Sequence, residues 1–167
     1  DFLDSLDVLL FKIASGDITD IPLIKKIAAT GKYILMSTGA STKSEVLNAL
    51  KIIYEFHRNV ILLHCVSEYP PAYKDLNLLS ILTMREKFNL PVGFSDHTAG
   101  DAACIAAASI GAVVIEKHFT LDKKQRGADH ALSLDPEEFC EMASRTRLVS
   151  DMLGSGIKEP TPKEKKS

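Results

Sequence analysis

Val92-Gly93-Phe94-Ser95-Asp96-His97-Thr98 and Val114-Ile115-Glu116-Lys117-His118-Phe119-Thr120 decide how this chain is read. Each is a short apolar run that breaks off into polar, ionisable residues. In a parallel α/β protein the carboxyl ends of the strands are where chemistry is placed. Side chains alternate along a strand, so Ser95 and His97 share one face and Asp96 takes the other. By the same rule Glu116 and His118 share a face, and Lys117 opposes them. Two imidazoles at neighbouring strand ends are the minimum for holding a divalent metal or moving a proton. The plain alternative is a pair of ordinary histidines bonded to loop backbone.

The same alternation extends through the rest of the chain. Strand-like runs fall at residues 8–13, 33–36, 60–65, 92–94 and 112–116. Helix-like runs fall between them, at 20–29, after the capping box Thr42-Lys43-Ser44-Glu45, at 76–88, at 102–110 and from Asp135 to about residue 153. Such alternation predicts a mostly parallel sheet flanked by helices. The strands end in Lys12 and Ser15, Ser37 and Thr38, His64 and Ser67, Ser95 and His97, and Glu116 and His118. Polar ends on five successive strands predict one site along one rim, as in a β/α barrel. A closed eight-stranded barrel takes about 250 residues, and these 167 residues hold five units. The fold expected is therefore α/β, a (β/α)8 TIM barrel of which residues 1–154 carry strands four to eight. An open doubly wound α/β domain is the alternative.

Composition narrows the function classes. The chain is 46% apolar and 25% charged with a net charge of −2. That balance provides no basic field for nucleic acid and no polybasic patch for anionic membranes. No apolar run is long enough to span a bilayer. Cys65, Cys104 and Cys140 form neither a disulfide framework nor a zinc knuckle. Cys104 and Cys140 are expected as buried thiols, and the compartment expected is a reducing cytoplasm. There is no dinucleotide glycine pattern and no Walker loop.

Lys12 follows the apolar run Val8-Leu9-Leu10-Phe11 and is expected on the inner rim. There it pairs with an anionic substrate group or forms a Schiff base; otherwise it snorkels outside the sheet. Asp17 is an acid or base, or a turn cap. Ser37-Thr38-Gly39 places two hydroxyls and a flexible backbone before a helix, which suits an oxyanion or phosphate, or simply a cap and turn. His64-Cys65 is no nucleophile pair, because consecutive strand residues face opposite ways. Ser67 and Tyr69 precede the Pro70-Pro71 turn and are candidates for substrate contact. Asp129, in Gly127-Ala128-Asp129-His130, is placed to hold a polyol or a metal-bound water, or to make a surface turn.

Taken together, these segments resemble the sialic acid synthase family, the N-acetylneuraminate synthase type. The resemblance rests on Lys12-Ile13-Ala14-Ser15-Gly16-Asp17, Ser37-Thr38-Gly39, Leu62-Leu63-His64-Cys65, Tyr69-Pro70, Ser95-Asp96-His97-Thr98, Glu116-Lys117-His118-Phe119-Thr120 and Gly127 through His130. It implies condensation of phosphoenolpyruvate with an open-chain N-acetylmannosamine-type aldehyde, giving a nonulosonic acid and phosphate. By that resemblance Lys12, Ser15, Ser37, Ser67, Tyr69 and Ser95 bind phosphoenolpyruvate. His97 and His118 hold a divalent metal, Mn²⁺ with Mg²⁺ or Co²⁺ as alternatives, and Asp17 and Asp129 contact the sugar or the attacking water. The resemblance also implies a homodimer at full length. Residues 155–167 then form a linker toward a small antifreeze-like domain, which in family dimers sends an arginine into the partner's site.

The sequence departs from the family pattern in places. Tyr33 and Ala128 stand where the family often has proline, Ala40 where it often has methionine, and Ser67 where some members have asparagine. The family's first three strands supply further groups, among them a glutamate and a lysine, and none is assignable here. Two other readings stay open: a Schiff-base aldolase acting through Lys12, and a non-catalytic fragment. The 167 residues alone are expected to be inactive, because an unclosed barrel exposes edges and apolar faces.

Overall fold

The computed structural model describes residues 2–166. Five strands, β1 (Leu10–Ile13), β2 (Tyr33–Ser37), β3 (Val60–Cys65), β4 (Val92–Asp96) and β5 (Ile115–Lys117), form one sheet in the order β1-β2-β3-β4-β5. All neighbours pair in parallel. The helices are α1 (Phe2–Ser5), α2 (Ile21–Ala28), α3 (Lys43–Ile53), α4 (Ser80–Phe88), α5 (Ala102–Ser109) and α6 (Pro136–Leu153). A doubly wound sheet reverses its strand order at a switch point and carries helices on both faces. This sheet does neither, so it is a half-barrel: five consecutive β/α units.

The helices start where local chemistry dictates. Asp20 accepts from the Leu23 amide (3.0 Å) ahead of α2, with Pro22 in its first turn. Thr42 with Glu45, and Asp135 with Glu138, form reciprocal capping boxes at α3 and α6. On the helix side of the sheet Ile13, Ile34, Met36, Leu62 and Phe94 are all 1% exposed or less and pack with Ile24, Leu50, Ile53 and Ile81 from the helices. That packed layer leaves the opposite, concave face to Lys12, Ser37, Cys65, Ser95 and Glu116. In-register pairs such as Cys65 with Ser95 and Ser95 with Glu116 align those side chains across the strands.

Several boundaries differ from the sequence expectation. β1 begins at Leu10 rather than residue 8, since its ladder to β2 starts at Tyr33 and Leu9 is 87% exposed. α4 begins at Ser80 rather than residue 76: Asn77 takes a left-handed conformation (φ 45°) that interrupts the helix, and residues Tyr73–Asp75 form a separate 3-10 turn. β4 runs on to Asp96, and β5 shifts to Ile115–Lys117. Cys104 is buried as expected, but Cys140 is exposed. α6 buries only Met142, so most of its surface, Cys140 included, faces away from the core. Among the described residues no helix is long and apolar enough to cross a membrane.

Candidate active site

The carboxyl ends of the five strands surround a cavity of about 260 Å³. Its lining includes Lys12, Ser15, Ser37, Ser67, Tyr69, Ser95, His97 and His118. Of the ten residues that the resemblance assigns to the site, eight are gathered here; Asp17 and Asp129 are not, and of the polar strand ends Thr38 and His64 line a different cavity instead. Asp129 sits just outside, its Oδ2 3.8 Å from His118 Nδ1. Asp17, in the 3-10 turn Ser15–Asp17 after β1, is exposed and takes no part in the lining. A larger cavity, about 490 Å³, lies between α3 and α4. From the ionisable strand ends it takes His64 and Cys65, and the His64 imidazole is spent on the Leu76 carbonyl (2.7 Å). Convergent polar groups, rather than size, mark the smaller cavity as the site.

The anionic and cationic groups are tied together across it. Ser95 Oγ donates to Glu116 Oε1 (2.6 Å), and Glu116 Oε2 lies 3.7 Å from Lys12 Nζ. Lys12 Nζ also donates to the carbonyl of Ile13 (3.1 Å), which keeps the ammonium at the rim. Ser15 Oγ accepts from the Gly39 amide (2.9 Å) and shares a hydrogen bond with Cys65 Sγ (3.1 Å). Gly39 has no room for a side chain: a Cβ would press on Ser67 Oγ, Cys65 Sγ and Ser15 Oγ. Ser37 Oγ is buried and has no hydrogen-bond partner. An unmet buried hydroxyl costs about 1–3 kcal/mol, and Ser37 is one of the residues that line the cavity.

The two imidazoles meet as the strand alternation requires. Their ring centroids are 5.3 Å apart at 71°. His97 Nδ1 lies 2.7 Å from the Val66 carbonyl. A carbonyl only accepts, so Nδ1 carries a proton, and Nε2 turns to the cavity, where the Tyr69 and Ser95 hydroxyls lie 3.3 and 3.4 Å from it. Tyr69 stacks on His97 (4.2 Å, 26°) and meets His118 edge-on (5.6 Å). Partial burial, with Cys65, Asp129 and Glu116 nearby, raises the Tyr69 phenol pKa, so its hydroxyl keeps its proton facing His97 Nε2 at 3.3 Å. Burial first, and then the neighbouring His97, hold His118 below the usual histidine range and favour its neutral form.

His97 and His118 are the residues here that could hold a cation. Among the described residues no group of three or more His, Cys, Asp or Glu converges on one point. The orienting bond from His97 Nδ1 to backbone is the usual outer partner of a ligating imidazole.

Three further residues shape the site although the sequence assigns them no specific role: Glu116, named only as a polar strand end, and Cys65 in the lining, and Gly39, read only as flexible backbone, behind it. Glu116 is detectable, since it stands two residues before His118 on the same strand face. Cys65 is visible in the same way, because alternation turns it opposite to His64. The close approach at Gly39 has no local signal.

The NeuB family profile matches residues 1–158. N,N'-diacetyllegionaminic acid synthase of Campylobacter jejuni subsp. jejuni serotype O:2 is 41% identical, the match covering 100% of this chain and 51% of the relative. N-acetylneuraminate-9-phosphate synthase of Homo sapiens is 37% identical over 98% of this chain and 46% of the relative. The solved structure of N-acetylneuraminic acid (sialic acid) synthetase from Leptospira borgpetersenii serovar Hardjo-bovis, in complex with citrate, superposes with a TM-score of 0.93 at 36% identity. It covers 98% of this chain and 57% of that one. The chain thus spans about half the length of the curated relatives it matches. With the family profile covering nearly all of it and named synthases alike along its whole length, the chain belongs to the NeuB family.

Proposed function

We propose that the full-length protein condenses phosphoenolpyruvate with an N-acylated amino-sugar aldehyde of the N-acetylmannosamine type, releasing a nonulosonic acid and phosphate. The observation that carries the proposal is the unpartnered, buried Ser37 hydroxyl in a cavity that also holds Lys12 and the two imidazoles. Phosphoenolpyruvate is small and highly anionic, and needs a cation and several hydroxyls in a fixed array. Lys12 supplies the cation, and Ser15, Ser37 and Ser95 supply hydroxyls from three strand ends. Ser67 and Tyr69 close the array from the loop after β3. C3 of phosphoenolpyruvate attacks the aldehyde carbon, water adds at C2, and phosphate leaves with cleavage of the C–O bond.

His97 and His118 are the residues to hold a divalent ion, with Mn²⁺ favoured over Mg²⁺ because imidazole suits transition metals, and Co²⁺ a further candidate. When bound, such an ion supplies polarisation of a carbonyl oxygen. Asp129, 3.8 Å from His118, accepts a proton from the water or holds a sugar hydroxyl in this reading. Asp17, exposed on the same rim, is left to the acceptor side. A Schiff base at Lys12 fits less well, since that lysine is paired with Glu116 and a Schiff base needs the free amine. The relatives' names point to different nonulosonic acids, so the acceptor is proposed as a class. Full-length homodimerisation is proposed with it.

The test is phosphate release by the full-length protein. Release is expected to require both an N-acylated amino-sugar aldehyde and a divalent ion, and to fall at least 100-fold in a His97→Ala/His118→Ala variant, on the order of removing one transition-state stabilising group. Release without the sugar, or undiminished turnover in that variant, would refute the reading.

A further inference from the structure

Behind the catalytic face lies a second set of charges. Asp96 and Lys117 occupy the alternate positions of β4 and β5, and both side chains are 0% exposed. Lys117 Nζ donates to Asp96 Oδ2 (2.7 Å) and to the Thr98 carbonyl. Asp96 also accepts from the Thr98 amide (2.9 Å), the Thr98 hydroxyl (3.1 Å) and the Cys104 thiol (3.1 Å). The carboxylate is fully occupied, and it joins β4, β5 and α5.

Asp96 satisfies the buried Thr98 and Cys104 donors, but attraction between the two charges does not by itself explain why a lysine faces it. Around the pair the helix-side layer is mostly apolar, with Phe94 and Ile115 the in-register neighbours immediately before Asp96 and Lys117 on that face and His64 against Phe94 on β3. A well-packed apolar pair at a buried position is commonly as stable as an ion pair, or more so, because two charges need not be dehydrated. A buried pair does provide directional specificity, and β5 needs it. That strand has three residues and three register partners. A slip of one residue would turn Glu116 and His118 outward and bring Lys117 into the cavity. Apolar side chains tolerate such a slip far better than a 2.7 Å ion pair does.

We infer that Asp96 and Lys117 are positioning residues: their ion pair locks the β4–β5 register so that Ser95, His97, Glu116 and His118 all face the cavity. The lock acts on geometry and holds whether or not the proposed condensation is the reaction. Its test therefore needs no turnover. In full-length protein labelled with ¹⁵N-histidine, the parent is expected to show ring-to-ring NOEs between His97 and His118 and a single Nδ1-protonated His97. The variant Asp96→Leu/Lys117→Met, which replaces the pair with apolar side chains, is expected to melt below the parent, because the Thr98 amide and hydroxyl and the Cys104 thiol lose their buried acceptor. It is expected to lose the inter-ring NOEs and to show a mixed His97 tautomer. Unchanged NOEs and tautomer in that folded variant would overturn the inference. If it does not fold, Asp96→Asn keeps the shape and drops the charge. Loss of the NOEs in Asp96→Asn supports the lock, and their retention overturns it.

Discussion

Ser95 Oγ donates to Glu116 Oε1 across 2.6 Å, so the strand that carries one imidazole is bonded through its inward face to the strand that carries the other. The same carboxylate reaches Lys12 on β1, at the far end of the strand order but across the mouth of the curved sheet (3.7 Å). Glu116→Gln keeps the shape and removes the charge. Both partners are about a third exposed, so the stability change is expected to stay under about 1 kcal/mol. With the competing anion gone, phosphoenolpyruvate is expected to bind more tightly at low ionic strength, as measured by calorimetry on the full-length protein. Weaker binding would show that the carboxylate serves to orient Ser95 instead.

Ser37→Ala separates folding from binding. Removing a buried hydroxyl that has no partner is expected to leave the protein as stable, or more stable by about 1 kcal/mol. The KM for phosphoenolpyruvate is expected to rise roughly tenfold, the value of one hydrogen bond to a charged ligand. Urea denaturation and initial-rate kinetics read the two effects. A drop in stability with KM unchanged would place Ser37 in the scaffold rather than the site.

Gly39→Ala should damage both. The added Cβ would approach Cys65 Sγ at 2.6 Å and Ser15 Oγ at 2.9 Å, and would crowd Ser67. Overpacking of this kind costs about 1–3 kcal/mol. Thermal melting and titration with phosphoenolpyruvate measure the loss, and a variant that binds as the parent does would mean these side chains rotate away without cost.

His64 carries a pH dependence of stability. Burial lowers its pKa, against the smaller opposing effect of its bond to the Leu76 carbonyl. The unfolded chain therefore takes up a proton before the folded one does, and stability falls as pH drops from about 6.5 toward the lower folded value. Above that window the group contributes no slope. The melting temperature of the parent is expected to fall from about pH 7.5 to about 5.5 more steeply than that of His64→Gln, whose amide can still donate to Leu76. Parallel slopes would contradict the assignment.

Much of this architecture was legible in one dimension. The capping boxes at Thr42 and Asp135 depend on residues three apart, and the strand alternation that put His97 and His118 on one face depends on residues two apart. Where a long-range contact decided, the sequence was mute or misleading. Leu9 looks like strand but is exposed beside β1, α4 waits for the chain to pass Asn77, and Cys140 lies on an α6 surface turned from the core. Asp17 sits next to the cavity's Ser15 and Gly16 in sequence, yet the turn carries it outward.

The sequence by itself determined the five β/α units, the polar rim and the facing imidazoles, because each follows from short-range periodicity and hydrogen bonding. Only the tertiary structure decided which hydroxyl is left without a partner, which glycine is pressed by its neighbours, and that Lys12, Glu116 and Ser95 form one chain of contacts. Those facts arise where strands distant in sequence curve together, and no local pattern encodes the distance between them.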